Sequence, residues 1–111
     1  MEVLFGKGKS FIAYPVKLVY TETPVDLIFP AQAMFVAPKR SFKRAHDRNK
    51  LKRRMREVYR LNKNTFYEDL KLKEKKFLLA FIYVGKKQED YLVIERSILK
   101  LITGLLKPKG K

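Results

Sequence analysis

The stretch FLLAFIYV, residues 77–84, is a continuous apolar run that ends at Gly85. A run of this length is typical of a central strand with both faces buried. Two earlier stretches also predict strands, namely residues 10–20 (SFIAYPVKLVY), which are rich in β-branched and aromatic side chains, and residues 31–37 (AQAMFVA). Because Pro15 interrupts the first stretch, it forms either one bent strand or two short strands. We therefore expect a sheet built around residues 77–84.

The segment before the central strand, residues 39–63, predicts a helix in its second half. The helix should start between Ser41 and Asp47 and end near Asn62 or Asn64, and a charged connection with room for a short helix should follow it. At about 100° per residue, one face of this helix is suited to packing on the sheet, and it consists of Leu51, Met55, Val58, Tyr59 and Asn62.

The segment after the central strand, residues 90–106, predicts a C-terminal helix with Asp90 at its N-cap and Pro108 beyond its end. Strands followed by a helix, a strand and a helix make an α+β fold, an α/β sandwich. The length of 111 residues suits one domain, so we expect residues 1–111 to form a single unit with a basic tail at residues 107–111. The apolar residues of the C-terminal helix should face the sheet, and they are Tyr91, Ile94, Ile98, Ile102 and Leu105.

The composition limits the classes of partner and site. The formal net charge is +15, from 26 Lys and Arg against 11 Asp and Glu, and such a field attracts polyanions, which are nucleic acids or anionic membranes. The chain has no apolar run long enough for a membrane span or a signal peptide, so we expect no membrane partner. The absence of cysteine excludes a disulfide scaffold, a thiolate zinc site and a cysteine nucleophile.

The positive charge is concentrated in residues 39–63, KRSFKRAHDRNKLKRRMREVYRLNK. This segment has 12 basic and 2 acidic residues, a net charge of +10, whereas the other 86 residues have 14 basic and 9 acidic residues, a net charge of +5. Two-thirds of the excess charge therefore lies in under a quarter of the chain. This is the localised pattern expected of a nucleic-acid-binding surface.

Five cations of this segment recur at every fourth position, where each lies above the last on a helix: Arg44, Arg48, Lys52, Arg56 and Arg60. Like charges at this spacing cost roughly 0.2–0.5 kcal/mol per pair, which phosphates offset through counterion release. A charged face that contacts only water would be expected to have acidic residues among its basic ones. A membrane-surface helix would need its apolar face free for lipid, but that face is required to cover the sheet. RNA or DNA is therefore the favoured partner.

The same segment resembles the signature of the protein subunit of bacterial ribonuclease P. The family's run of basic pairs, followed by R-N-R, K-R, R-E and a closing arginine, is matched by Lys39-Arg40, Lys43-Arg44, Ala45-His46, Arg48-Asn49-Lys50, Lys52-Arg53, Arg56-Glu57 and Arg60. The resemblance extends to residues 4–11 (LFGKGKSF), which match the family's entry into its first strand, and to residues 35–38 (FVAP). It therefore spans most of the chain.

Two positions depart from the family pattern. Lys50 replaces the second arginine of R-N-R, which keeps the charge but loses the forked guanidinium. The family has a first helix with paired aromatic residues before the glycine-serine entry, and only residues 1–5 stand in that place here. Phe5 alone can therefore represent the aromatic pair, and we expect the family's N-terminal helix to be mostly missing from this sequence.

The resemblance implies a ribosomal-protein-S5-domain-2-like fold, with a four-stranded sheet, the basic helix in a left-handed crossover connection and a C-terminal helix. It also implies a function, which is removal of the 5′ leader from precursor tRNA. In this family catalysis belongs to the RNA subunit with bound Mg²⁺, so the protein alone should bind no cofactor or metal. The implied partners are the catalytic RNA, with one protein per RNA, and precursor tRNA, and the implied location is the cytoplasm.

Two binding surfaces follow from the resemblance and from the charge pattern. The first should hold the catalytic RNA through phosphates and sugar edges, and it comprises Lys39, Arg40, Lys43, Arg44, Arg48, Asn49, Lys50, Lys52, Arg53, Arg56 and Arg60. The second should be a cleft in which aromatic rings stack on the single-stranded leader, with Phe5, Phe11, Tyr14 and Tyr20 as candidates. Each of these aromatic residues could instead fill the core, to which we assign Phe35, Phe77 and Phe81.

Three other classes of function remain open from the residues alone. A ribosomal or general RNA-binding protein without leader preference would also suit the charge and the basic helix. A DNA-binding helix-turn-helix module would need a second short helix where the sequence predicts strands. An autonomous nuclease would need convergent carboxylates, whereas the acidic pairs lie in charged connections and His46, the single histidine, lies among cations.

Overall fold

The computed structural model describes residues 9–22, 31–39, 42–73 and 76–106. The elements in these ranges follow one another along the chain as β1 (Lys9–Ala13), β2 (Val16–Glu22), β3 (Ala31–Val36), α1 (Ala45–Lys73), β4 (Phe77–Tyr83) and α2 (Tyr91–Leu106). The α1 helix packs against β3, the α2 helix packs against β1 and β2, and the two helices contact each other. Both helices share one core with the same set of strand residues, so they cover the same face of the sheet.

The four strands form one sheet in the order β1-β2-β4-β3. The β1–β2 and β2–β4 pairs are antiparallel, whereas β3 and β4 are parallel, with Ala31 opposite Phe77 and Phe35 opposite Phe81. The predicted central position of residues 77–84 is confirmed, since β4 has a partner on each side. A parallel pair needs a crossover connection, which α1 provides. The left hand that the resemblance implies for this crossover stays a prediction.

Of the two alternatives for residues 10–20, the structure has two short strands, β1 and β2, which form a hairpin closed by the two-residue turn Tyr14-Pro15. The peptide bond between these two residues is cis. The carbonyl oxygen of Pro15 accepts hydrogen bonds from the amides of Val84 and Gly85, at 2.8 and 3.2 Å. The turn is thereby fixed to the end of the central strand.

The predicted end of the basic helix was wrong, because α1 does not stop at Asn62 or Asn64 but continues to Lys73. Phe66 and Leu70 are fully buried and extend the apolar face of the helix by two further turns. Asn62 fits within the helix because its side-chain amide donates to the carbonyl oxygen of Val58, four residues earlier, at 2.8 Å. The expected charged connection is therefore mostly helical, and its apolar residues seal the end of the core.

The contact between α1 and the sheet is aromatic. Tyr59 of α1 meets Phe35 of β3 and Phe81 of β4 with ring centroids 5.8 and 5.7 Å apart, and those two rings stack on each other at 5.5 Å. The hydroxyl of Tyr59 donates to that of Tyr67, which donates to the carbonyl oxygen of Ala31 at the start of β3. Burial raises the pKa of Tyr59, and the hydrogen bond to Tyr67 adds to the effect. The core assignments of Phe35, Phe77 and Phe81 are confirmed.

The C-terminal helix takes the predicted position and orientation. Asp90 occupies the N-cap, since its carbonyl oxygen accepts the first helical hydrogen bonds, from Val93 and Ile94. The predicted core-facing residues Ile94, Ile98 and Ile102 are buried, and Tyr91 and Leu105 are partly buried against the same core. The hydroxyl of Ser97, in the middle of the buried face, donates to the carbonyl oxygen of Ala13 and joins α2 to the edge strand β1.

The connection between β4 and α2 depends on the buried hydroxyl of Tyr83. This hydroxyl donates to the carbonyl oxygen of Lys87 at 2.6 Å and accepts from the amide of Glu89 at 2.9 Å. Tyr83→Phe leaves both backbone groups without their partner, so we expect the free energy of unfolding to fall by about 1–3 kcal/mol. Urea denaturation should show a lower midpoint at an unchanged m-value. Tyr14→Phe, which alters an exposed phenol, is the control, and equal midpoints for both variants would contradict this role.

Candidate nucleic-acid interface

The basic segment enters α1 through a loop that is anchored by one buried ring. Phe42 is buried, and its ring meets that of Tyr83 edge-on with centroids 5.6 Å apart. The amide of Phe42 donates to the carbonyl oxygen of Pro38 at 3.1 Å. Lys39, Lys43 and Arg44 flank this anchor and are exposed. Arg40, also predicted to bind RNA, lies outside the described residues.

Arg48 fixes the end of this loop to the first turn of α1. Its Nη1 donates to the carbonyl oxygens of Phe42 and Lys43, at 2.8 and 2.9 Å. A lysine could not reproduce this pair of bonds in the same place, because its side chain is one bond shorter and its ammonium would not reach the position of Nη1. The sequence predicts Arg48 as a phosphate ligand, and the structure adds a structural function, which is to hold the backbone that presents Lys43 and Arg44.

The first half of α1 presents polar and basic side chains opposite its buried face. Asn49 and Arg53 are exposed, and Lys50 and Lys52 are partly exposed, whereas Leu51 between them is fully buried. Within the described parts of the chain, the side chains without an ion pair or hydrogen bond include Lys43, Arg44, Asn49, Lys50, Lys52 and Arg53. These groups are therefore available to an external anion.

Three arginines on the same helix already have partners. Arg60 forms a two-point ion pair with Glu57, with Nη2–Oε2 at 2.6 Å and Nε–Oε1 at 3.0 Å. The hydrogen bond from Arg60 holds the pKa of Glu57 below its usual range, and Glu57 in turn raises the pKa of Arg60. The guanidinium of Arg56 lies 5.7 Å from the centre of the Phe35 ring. Nη1 of Arg54 donates to the carbonyl oxygen of Glu89 at 2.8 Å, and this hydrogen bond joins α1 to the connection before α2.

The charge of α1 also falls along its length. Residues 45–60 have seven basic and two acidic residues, a net charge of +5, whereas residues 61–73 have three basic and two acidic residues, a net charge of +1. The cations without a described partner are therefore densest at the N-terminal end of the helix and on the loop before it. We call these cations, together with Asn49, the basic surface and define it as Lys39, Lys43, Arg44, Asn49, Lys50, Lys52 and Arg53.

The aromatic residues predicted to bind the leader do not converge on one place in the described part of the chain. Phe5 lies outside that part, and the side chain of Phe11 is not among the described ones. Tyr14 is 62% exposed in the β1–β2 turn, whereas Tyr20 is partly buried against Phe77, with ring centroids 6.0 Å apart. Six residues of a strand span roughly 20 Å, so Tyr14 and Tyr20 lie near opposite ends of β2.

No group of three or more His, Cys, Asp or Glu side chains that could hold a metal ion occurs in residues 9–22, 31–39, 42–73 and 76–106. His46 is exposed at the start of α1. None of the helices in these ranges is long and apolar enough to cross a membrane.

The chain is similar to proteins of one kind in sequence and in fold. The family model Ribonuclease P matches residues 2–105. The ribonuclease P protein components of two Porphyromonas gingivalis strains are each 32% identical over 100 residues, which cover 90% of this chain and 73% of the relative. That of Chlorobaculum tepidum is 36% identical over 87 residues, covering 72% of this chain and 56% of the relative.

Two solved structures have the same fold. The ribonuclease P protein of Thermotoga maritima superposes with a TM-score of 0.73 at 22% identity and covers 92% of this chain and 87% of its own. That of Staphylococcus aureus superposes with a TM-score of 0.72 at 20% identity, covering 96% and 87%. The α+β architecture expected from the sequence is thereby confirmed.

The contact of Arg48 with the loop can be separated from its charge. Arg48→Lys keeps the charge but places the ammonium one bond short of the position of Nη1, so we expect faster amide hydrogen exchange at residues 42–44 and a loss of about 1 kcal/mol in the free energy of unfolding. Exchange monitored by mass spectrometry and urea denaturation measure the two effects. Arg53→Lys, at an exposed position without described partners, is the matched control. If the two variants exchange alike at residues 42–44, Arg48 does not hold the loop.

Proposed function

The chain belongs to the ribonuclease P protein family, and we propose that it binds the catalytic RNA of that enzyme through the basic surface of α1 and the loop before it. Membership makes the chain a subunit of an endoribonuclease that removes the 5′ leader of tRNA. The observation that supports the proposed surface is a set of cations that the protein's own described carboxylates leave unpaired. Such cations gain most from displacing the counterions of a phosphate backbone.

The residues proposed to hold the catalytic RNA differ in how they can do so. Members of the basic surface can turn fully toward phosphates, and Asn49 can also both donate to and accept from a ribose. Arg48 can offer only the donors that the loop leaves free, Arg56 would bind while lying over Phe35, and Arg60 would have to share or leave Glu57. The full proposed set is Lys39, Arg40, Lys43, Arg44, Arg48, Asn49, Lys50, Lys52, Arg53, Arg56 and Arg60.

The division of labour in the enzyme is the second part of the proposal. The RNA subunit with bound Mg²⁺ carries out the cleavage, and the protein supplies positive charge that lets two RNAs approach each other. Precursor tRNA is the second partner, bound through its leader by stacking on aromatic rings, each worth about 1–3 kcal/mol per base. The proposed rings are Phe5, Phe11, Tyr14 and Tyr20. One protein per catalytic RNA, acting in the cytoplasm, completes the proposal.

A ribosomal or general RNA-binding protein without leader preference is the alternative that the basic surface alone would also fit. Phosphate contacts position an RNA without reading its sequence, so charge cannot distinguish the two functions. Dependence on the leader does distinguish them, because a general RNA-binding protein would bind leader-bearing and mature tRNA equally well.

The basic surface is tested by the triple variant Arg44→Ala/Lys52→Ala/Arg53→Ala. We expect weaker binding to ribonuclease P RNA, with a salt dependence that flattens by roughly 0.7–0.9 for each lost phosphate contact. Titrations at several salt concentrations measure both. The matched control is Lys71→Ala/Lys86→Ala/Lys87→Ala, which removes the same charge from exposed positions elsewhere. Equal losses in the two triple variants, with both proteins folded, would show that only net charge matters.

The subunit function is tested by reconstitution at low Mg²⁺. The protein should restore cleavage of precursor tRNA by a bacterial ribonuclease P RNA, because added positive charge replaces part of the screening that Mg²⁺ provides. Cleavage is followed by the release of the labelled leader. The assembled complex should bind leader-bearing tRNA more tightly than mature tRNA, and equal affinity would favour the general RNA-binding alternative.

A further inference from the structure

A pocket of about 350 Å³ lies between the β1–β2 turn and the α2 helix, on the half of the fold away from β3. Its walls include Ile12 and Tyr14 from the hairpin and Val93, Arg96 and Lys100 from α2. This volume is at the lower end of the range for small-ligand sites, which runs from roughly 300 to 1,000 Å³. The pocket is separate from the basic surface, because β1 and β3 are the two opposite edges of the sheet.

The backbone that carries Tyr14 is fixed on both sides. On one side, the carbonyl oxygen of Ala13 accepts a hydrogen bond from the hydroxyl of Ser97. On the other side, that of Pro15 accepts from the amides of Val84 and Gly85. A Cβ added at Gly85 would lie 2.8 Å from the Cβ of Pro15, so the turn is packed against the end of β4 as closely as glycine permits.

The Tyr14 ring nevertheless remains 62% exposed, beside Ile12 at 60%. An exposed aromatic ring on a fixed backbone loses little freedom when a flat ligand stacks on it. The hairpin therefore offers one preorganised stacking platform with an adjoining apolar wall.

The cations of the pocket have no described protein partner. Arg96 and Lys100 lie one helical turn apart and are exposed, and within the described ranges neither forms an ion pair or a side-chain hydrogen bond. The nearest acidic residue in sequence, Glu95, faces another direction, because it lies one turn after Tyr91 and acts on the same phenol as Glu57 of α1. Burial raises the pKa of Tyr91, and these two carboxylates add to the effect.

We propose that this pocket binds one nucleotide of single-stranded RNA, with the base stacked on Tyr14 and a phosphate held by Arg96 and Lys100. The choice of RNA as the polyanion rests on the proposed function, whereas the site itself rests on the geometry of the pocket. Every base has a flat face that can stack on the Tyr14 ring, and the two cations can bind the adjoining phosphate. Binding at this site therefore does not depend on the base sequence. It gives the protein a second RNA contact at the sheet edge opposite β3.

The site is tested by adding an eight-uridine oligoribonucleotide to the ¹⁵N-labelled full-length protein and following the amides of Tyr14 and Ser97 by NMR. We expect saturable shifts at these amides, and at least a fivefold weaker local dissociation constant in Tyr14→Ala, with near-normal binding in Tyr14→Phe. Arg96→Gln/Lys100→Gln should weaken binding and flatten the salt dependence of this site by roughly 0.7 per lost contact. The matched control Lys86→Gln/Lys87→Gln removes the same charge outside the pocket and should leave the local constant near that of the wild type.

Two further probes separate the nucleotide site from weaker interpretations. Inorganic phosphate alone should not reproduce the shifts at Tyr14, and a hexaglutamate peptide should not compete with the oligonucleotide. The proposal is overturned if either probe matches the oligonucleotide, if Tyr14→Ala binds normally, or if no shift occurs. Because the readout is local, Arg44→Ala/Lys52→Ala/Arg53→Ala should retain the shifts at Tyr14 even if that variant disproves the proposed function of the basic surface.

The source of the nucleotide is tested in the assembled complex by photo-crosslinking. Thiouridine is placed either in the leader of precursor tRNA or in the ribonuclease P RNA, and the crosslinked peptides are mapped by mass spectrometry. A crosslink to residues 12–14 from one RNA supports the site and identifies its ligand. If neither RNA crosslinks there while residues of the basic surface do crosslink, the pocket is not an RNA site in the enzyme.

Discussion

The parallel pairing of β3 with β4 is the constraint on which the rest of the structure depends. Two parallel neighbours cannot be joined by a tight turn, so the chain between them must cross over the sheet. The α1 helix makes this crossover and must bury one face against the strands, which it does through Tyr59, Phe66 and Leu70. Burial of that face determines which side chains point outward, and in the first half of α1 those are cations.

This arrangement costs stability, because the cations repel one another. The protein reduces the cost over residues 54–60 of α1, where Arg54 donates to a carbonyl oxygen of the next connection, Arg56 lies over Phe35 and Arg60 pairs with Glu57. In the loop and the first two turns, Arg48 has a contact of this kind with the carbonyl oxygens of Phe42 and Lys43, whereas the other described cations there have none. An exposed ion pair such as Arg60–Glu57 contributes little to stability, so its main consequence is to neutralise one cation next to the basic surface.

The sequence predicted the features that follow from local pattern. The apolar run of β4, the interruption of the first stretch at Pro15 and the buried face of α2 depend on neighbouring residues only, and all three are confirmed. The length of α1 was mispredicted because two asparagines resemble stop signals, whereas the burial of Phe66 and Leu70 overrides their weak helix propensity. The apolar spacing from Leu51 to Leu70 was the signal that could have shown the longer helix.

The features that sequence reasoning missed are those that join distant parts of the chain. Ser97 and Ala13 are 84 residues apart, and nothing in either local sequence indicates that they meet. Their hydrogen bond nevertheless brings the cations of α2 next to the exposed ring of Tyr14. Likewise, a row of basic residues in a sequence gives every member equal weight, although the contacts of Arg48, Arg54 and Arg60 hold these three against the protein itself. A phosphate must therefore compete for those three, whereas Arg44, Lys52 and Arg53 have no such competitor in the described chain.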